Sequence, residues 1–184
     1  MGLPWSWGTS VDELLGGLPC DAMVEGPTIH LDRAVDCAAP ASWGYRWLSQ
    51  LALAPYSYDL VDNLGRRSPT ELDPATEVVE VGQRMATVYV VTEVEPGHSW
   101  TGRLSERGER LSGPLAVTYA AHPAGPDRCR LHCRIVVPGR TRAQRARAAA
   151  LAWGDLVMIR KQLHQLAHLA GRDAARAGGA GWSP

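Results

Sequence analysis

The sequence predicts an α+β domain in which a strongly curved antiparallel sheet wraps around one long helix near the end of the chain. Residues 141–172 contain no proline, and their apolar residues recur at spacings of three and four, which is typical of an amphipathic helix. Alternating apolar and polar residues between 85 and 137 are interrupted by glycine and proline turns, which predicts consecutive antiparallel strands. An amphipathic helix of this length needs a sheet against which to bury its apolar face.

The composition fits a single globular domain. The chain has 184 residues, of which 45% are hydrophobic, so it can bury a core without disulfides or metals. Its formal net charge is zero and the charges of both signs are interspersed, so we expect no nucleic-acid partner. Because there is no apolar run of about 18 residues and no secretory pattern at the start, we expect a cytoplasmic protein without a membrane partner.

The cysteines and histidines predict neither disulfides nor metal. Cys129 and Cys133 lie four residues apart in a predicted strand, hence about 13 Å apart, which exceeds the reach of about 7 Å for a disulfide. We therefore expect these two cysteines, like Cys20 and Cys37, to be buried thiols. The six histidines form no zinc-binding pattern, and the sequence predicts no cofactor.

Residues 1–27 are predicted to wrap around the main body. Trp5 and Trp7 imply that this segment packs against the domain, and Ser10 followed by Glu13 matches a helix capping box. The main domain is predicted to span 28–172. Residues 173–184, rich in alanine and glycine, are predicted to form a flexible tail.

The first main strand, 28–37, has an arginine on its apolar face. Arg33 alternates in step with Leu31 and Val35. Pro40 then begins the first of two short helices, and the aromatic and acidic segment 56–63 predicts the second.

Four further strands are predicted to form an antiparallel meander. In the last of them arginine and histidine alternate with apolar residues, which predicts one buried and one exposed face. A curved sheet and a helix diverge in the middle, so we expect a ligand cavity between them. The strands are predicted at 85–95, 98–104, 115–122 and 129–137.

The apolar stripe of the terminal helix is predicted to contain a charge. Counting about 100° per residue places Arg160 between Leu156 and Leu163. A narrow second stripe on the opposite side offers at most a seam for self-association, so we expect a monomer or a weak homodimer. The main stripe consists of Ala149, Ala152, Trp153, Leu156, Ile159, Leu163, Leu166, Ala167 and Ala170.

Four segments carry a resemblance to a known superfamily. They are WGTSVDELLGGLPCD, LDRAVDCAAPASWGYRWLSQL, YSYDLVDN and EVVEVGQRM. With these segments, over about 7–170, the chain resembles a largely uncharacterised bacterial branch of the SRPBCC superfamily, the START-like or helix-grip proteins that include polyketide cyclases. The resemblance implies the helix-grip fold, with two short helices after the first strand. Cys20 stands where this branch usually has glycine, and LALAPYSYD lacks the arginine and paired glycines that usually precede the tyrosine.

Six residues are candidates for contacts inside the cavity. Arg33 and Arg160 lie on apolar faces, where a guanidinium group suits a ligand carboxylate, enolate or phenolate. The alternative is that they pair with buried acids or extend to the rim. Four aromatic residues either line the cavity or fill it: Tyr89, Trp100, Tyr119 and Trp153.

Three residues are candidates near the cavity mouth. Tyr56, Tyr58 and Asp59 fall on the segment after the first helix, and a tyrosine held by an aspartate can donate a hydrogen bond to a carbonyl, as a cyclisation requires. The alternative is that the tyrosines pack and Asp59 caps a helix. Tyr58, Asp59 and Arg160 are therefore the catalytic candidates, while both tyrosines also count as ligand-binding candidates.

The sequence supports three functional hypotheses. The first is a protein that binds a hydrophobic or aromatic small molecule between the sheet and the terminal helix. The alternative is a polyketide cyclase or aromatase-like enzyme that acts on such a ligand, and the second alternative is a protein-interaction module of the co-chaperone type. A filled interior favours the last, and convergent polar groups of perturbed acidity favour the enzyme.

Overall fold

A computed structural model describes residues 2–58 and 67–179 of the chain. Within this part, seven strands form one curved mixed sheet in the order β1-β2-β7-β6-β5-β4-β3. β1 runs parallel to β2, and the other neighbouring strands are antiparallel. The strands are β1 (Ser6–Trp7), β2 (Thr28–Cys37), β3 (Arg84–Met85), β4 (Tyr89–Glu95), β5 (Ser99–Leu104), β6 (Ala116–Pro123) and β7 (Cys129–Pro138).

Four α-helices accompany the sheet in the described residues, and the predicted α+β architecture is confirmed. The long α4 packs against β2, β7 and α2. A short 3₁₀ helix, Gln50–Ala52, continues α2. Most of the second short helix predicted at 56–63 lies outside the described residues. The helices are α1 (Val11–Leu15), α2 (Ala41–Ser49), α3 (Glu106–Ser112) and α4 (Arg142–Gly179).

The meander differs from the prediction at two places. The predicted strand 85–95 is divided into β3 and β4, because Ala86 and Thr87 turn the backbone with φ of 45° and 65°. The predicted turn at 107–108 is instead inside α3, whose first turn is capped by the Ser105 hydroxyl.

The segment before β2 packs on the outer face of the sheet. The predicted capping box is present: the Ser10 hydroxyl accepts from the Glu13 amide at 3.1 Å, and the Glu13 carboxylate accepts from the Ser10 amide at 2.7 Å. The guanidinium of Arg134 on β7 donates to the carbonyl oxygens of Glu13 and Gly16, at 2.7 Å each. The wrapping segment is thus tied to the sheet through its backbone.

This wrapping segment corrects the prediction of an exposed face on β7. His132 and Arg134 are each 1% exposed, because residues 8–24 cover them. Both side chains bind the buried carboxylate of Asp32, His132 through Nε2 at 2.9 Å and Arg134 through Nε at 2.7 Å. Burial alone would raise the pKa of Asp32, but these hydrogen bonds lower it below its ordinary value.

The buried face of α4 is rotated by roughly 60° from the predicted stripe, as counted at 100° per residue. Trp153 is 56% exposed and Arg160 is exposed, so the prediction that they lie on the buried face is wrong. The helix also continues through 173–179, part of the predicted tail, where Asp173 accepts from the Trp47 indole at 3.1 Å. The buried residues are Ala148, Ala152, Asp155, Ile159, Gln162, Leu163, Leu166, Ala167, Leu169, Ala170 and Asp173.

Candidate functional site

A cavity of about 500 Å³ lies between the sheet and the first turns of α4. Its mouth is formed by polar and exposed residues of α4 and of the α3–β6 connection, including Gln144, Arg147 and Ser112. The deeper lining is apolar apart from one phenol. It consists of Tyr89, Leu104, Leu115, Val137, Ala148 and Leu151.

A buried ion pair lies beyond the inner end of this cavity. Asp155 follows Leu151 by one turn of α4, about 6 Å along the helix, on nearly the same face. Its Oδ2 atom is 3.2 Å from a terminal guanidinium nitrogen of Arg33 on β2. The two side chains are 6% and 0% exposed, so each lies in the interior between sheet and helix.

The acidity of Asp155 is strongly perturbed. Burial removes the carboxylate from water and raises the pKa of Asp155 to about 7, although the nearby charge of Arg33 opposes this rise. A carboxyl group with this pKa exchanges its proton close to neutral pH. Perturbed carboxyl groups beside a cavity are typical of functional sites, although buried structural ion pairs also show them.

Tyr89 lies in the cavity wall. The residue is half-buried, and its side chain lines the cavity wall. Burial raises the pKa of Tyr89, and the nearby negative charge of Asp155 raises it further. Tyr89 is the one predicted ligand-binding residue that the described structure places in this wall.

The other buried aromatic residues fill the interior. Trp100 is fully buried, donates from its indole to the Leu48 carbonyl at 3.2 Å, and stacks on Tyr119 with ring centroids 4.8 Å apart. The Tyr119 hydroxyl donates to Gln162 on α4, whose amide donates in turn to the Pro55 carbonyl. These contacts hold the sheet, α4 and the segment after α2 together.

A second group of candidates lies on the outer side of α4. Tyr58 is 39% exposed, and its ring lies 4.0 Å from the Lys161 ammonium. Arg160 stacks on the ring of Trp7 at 4.9 Å. Tyr58 and Arg160 border a surface groove with His164, away from the cavity between sheet and helix.

Tyr56 and Asp59, the other two residues predicted near the cavity mouth, are not placed together. Tyr56 is 1% exposed and packs edge-on against Trp47, with ring centroids 6.0 Å apart. Asp59 lies outside the described residues. The structure therefore does not bring Tyr56, Tyr58 and Asp59 together as one described site.

Sequence reasoning missed Asp155 and Gln162. Both are polar, so an apolar stripe drawn through α4 leaves them out and shifts toward Leu156. The available signal was Arg33: an arginine on the inner face of a strand requires a buried acceptor, and Asp155 is the acid that one face of the terminal helix can supply. Pairing Arg33 with Asp155 would have indicated which side of α4 faces the sheet.

No group of three or more histidine, cysteine or acidic side chains in the described residues is arranged to hold a metal ion. Likewise, no helix in the described part of the chain is long and apolar enough to cross a bilayer.

The overall fold is shared with solved structures. Norcoclaurine synthase from Thalictrum flavum, solved with dopamine and hydroxybenzaldehyde, superposes with a TM-score of 0.54 at 16% identity, over 84% of this chain and 93% of that chain. The chain adopts the helix-grip fold. A Thermobifida fusca protein with this helix-grip fold gives a TM-score of 0.52 at 15% identity, over 78% of this chain and 93% of that chain.

More distant helix-grip structures add nothing about function. The Zhui aromatase/cyclase from a Streptomyces species gives a TM-score of 0.45 at 15% identity, over 79% of this chain and 95% of that chain. No family model matches the sequence, and no curated protein matches it. At these identities the likeness establishes the fold alone.

Proposed function

We propose that the protein binds a hydrophobic or aromatic small molecule in the cavity between the sheet and α4. The observation that supports this proposal is the cavity itself, because about 500 Å³ falls within the range of small-molecule sites and the deeper wall is apolar with one phenol. Trp100 and Tyr119 fill the middle of the interior, and the space that remains for a ligand lies beside the first turns of α4. The helix-grip norcoclaurine synthase, which was solved with two small aromatic compounds, is consistent with this use of the fold.

Filling the cavity tests the proposal. Ala148 is buried and lines the cavity, so Ala148→Phe directs a ring into the space. Ala146→Phe is the matched control, because Ala146 is exposed on another side of the same turn. We expect isothermal titration to detect 2-naphthol or hydroxybenzaldehyde binding to the native protein and to Ala146→Phe, with affinity at least tenfold weaker in Ala148→Phe. Equal affinities in both variants, or no binding to the native protein, would exclude the cavity as the site.

A second candidate function is a cyclase or aromatase-like enzyme, and the raised pKa of Asp155 favours it. A carboxylate that accepts a proton near neutral pH can remove one from the carbon next to a ligand carbonyl, the first step of an aldol-type ring closure. Arg33 holds this carboxylate in place.

Proton exchange of a ketone tests the enzyme hypothesis. We expect the protein to accelerate deuterium incorporation next to the carbonyl of 2-tetralone in D₂O, followed by NMR. Asp155→Asn removes this acceleration, whereas Asp173→Asn, which changes another buried aspartate of α4, retains it. If the native protein exchanged deuterium into 2-tetralone no faster than buffer does, the enzyme hypothesis would be excluded and only the binding function would remain.

A further inference from the structure

One row of side chains across the sheet forms a wall of the cavity. Tyr89 on β4 lies directly opposite Leu104 on β5, and the Leu104 amide donates to the Leu115 carbonyl just before β6. The same alignment brings Val137 of β7 next in line, and Ala148 of α4 covers the row from the other side. Residues directly opposite each other in a ladder share a face. The row therefore presents three apolar side chains and one phenol to the cavity.

The hydroxyl group of Tyr89 can be reached from the cavity. Tyr89 is half-buried, and none of the described residues forms a hydrogen bond with its hydroxyl. Unlike Nε of Arg33 and Oδ2 of Asp155, this hydroxyl is not sealed inside the protein. An apolar ligand would take water away from it, so the hydroxyl then needs a partner on the ligand.

This hydroxyl is a neutral hydrogen-bond donor. Burial raises the pKa of Tyr89 above its ordinary value of about 10, and the negative charge of Asp155 raises it further. The phenol therefore keeps its hydrogen at neutral pH. It has one hydrogen to donate and lone pairs with which to accept.

The guanidinium of Arg33, by contrast, is committed to partners inside the protein. Its terminal nitrogens donate to three backbone carbonyls at 2.9–3.1 Å, and one nitrogen lies 3.2 Å from Oδ2 of Asp155. The three carbonyls belong to Trp5, Asp32 and Ala152. A ligand carboxylate against the apolar wall would therefore lose its hydration without gaining this cation.

Counting hydrogens identifies the ligand group that suits Tyr89. A ketone oxygen accepts the hydrogen of the phenol and brings no hydrogen of its own, so both groups are satisfied. Tyr89 and a ligand hydroxyl together have two hydrogens, of which only one can lie between the two oxygens. The apolar side chains of the deeper wall offer no acceptor for the other hydrogen. A hydrocarbon leaves the phenol unpaired.

We propose that the cavity selects an aromatic ketone whose oxygen accepts a hydrogen bond from Tyr89. The inference rests on the proposed small-molecule function and names the chemical class of its ligand. Tyr89 is the specificity-determining residue, and the apolar row beside it contacts the aromatic rings. This differs from the anion-binding expectation, in which a guanidinium group holds a charged oxygen.

Three naphthalenes with similar side groups test the inference by isothermal titration at neutral pH. They are the ketone 2-acetylnaphthalene, the alcohol 1-(2-naphthyl)ethanol and the hydrocarbon 2-isopropylnaphthalene. We expect the native protein to bind the ketone roughly threefold or more tightly than either of the others. A smaller preference, or the reverse order, would overturn the inference while leaving the proposed binding function in place. Failure of all three probes to bind would overturn both.

A pair of variants locates the preference at Tyr89. Tyr89→Phe keeps the ring and removes the donor, so we expect the ketone-to-hydrocarbon affinity ratio to fall to about one or below. Tyr45→Phe is the matched control, because Tyr45 is buried on α2 and does not line the cavity. Its ratio should equal that of the native protein. A ratio unchanged in Tyr89→Phe would contradict the assignment to Tyr89, and the native ratio decides the ligand class even if that variant does not fold.

Discussion

Arg33 and Asp155 are buried opposite each other, so the charge of each depends on its partner for compensation. We predict that Arg33→Met lowers the free energy of unfolding by about 3–5 kcal/mol, because it leaves a carboxylate without its cation in the interior. The double variant Arg33→Met, Asp155→Leu should recover most of this loss, since no charge then remains. Urea denaturation measures both. A double variant that is as unstable as Arg33→Met would show that the contacts of Arg33 with backbone carbonyls, not its charge, dominate.

Asp155 also predicts an unusual dependence of stability on pH. Its pKa is raised from about 3.8 in the unfolded chain to about 7 in the folded protein. Between these values the folded state holds the proton that the unfolded state has lost, so the contribution of Asp155 to stability falls as the pH rises and becomes constant above about 7. Asp155→Asn should therefore gain stability relative to the native protein from about pH 4 to 7, by at most about 1.4 kcal/mol per pH unit.

Other groups set the background against which this difference is measured. Burial lowers the pKa of His122 from 6.5 to about 4, which makes stability rise with pH in that range. Arg33, Tyr89, Tyr119 and Cys133 surround Asp155 and are shared by both proteins, so subtraction of the two urea curves at each pH isolates the carboxyl group. A difference that is flat from pH 4 to 8 would contradict the raised pKa.

At the scale of elements, the next prediction concerns which side of α4 is buried. Leu163 is fully buried whereas Trp153 is 56% exposed. Leu163→Ala should lower the free energy of unfolding by about 2–5 kcal/mol through loss of packing and a new cavity. Trp153→Ala should change it by about 0.5 kcal/mol or less, as surface substitutions do. If the two variants were equally unstable, the buried face would be the one that the apolar pattern predicts.

Sequence reasoning identified α4, β2 and most strands of the meander, but it missed α3 and the break between β3 and β4. The length of α4, the alternation in β2 and the turns of the meander are local properties, and the fold follows from them. The side-chain positions in the site follow from pairings between distant parts of the chain. Arg33 forms an ion pair with Asp155, and Tyr119 donates a hydrogen bond to Gln162, so two polar residues of α4 face inward. A hydrophobicity pattern does not show that Asp155 and Gln162 have buried partners. The sequence therefore assigned Tyr58 and Arg160 to the cavity instead.

At the scale of the whole molecule, the reactivity of the four cysteines measures how well the core excludes a thiol reagent. All four are free and buried, as expected from the sequence. We predict that a thiol reagent such as Ellman's reagent labels the native protein slowly and labels four thiols after denaturation in guanidinium. Rapid labelling of the native protein would mean that the core opens locally. Cys20 would then be the first to test, because it belongs to the wrapping segment and is buried only where that segment packs on the sheet, and Cys20→Ser is the variant that would remove its share.

The adjacent charges of Asp32 and Arg33 also help to fix the register of β2 against β7. Asp32 points to the outer face, opposite Arg134 in the ladder, whereas Arg33 points inward to Asp155. If β2 slipped by one residue, its two faces would exchange. A slip in one direction would bring Arg33 opposite Arg134, whereas a slip in the other direction would bring Asp32 to the position that faces Asp155, so either slip would bury two like charges together. The adjacent opposite charges of β2 thus favour the observed register over the two registers nearest to it.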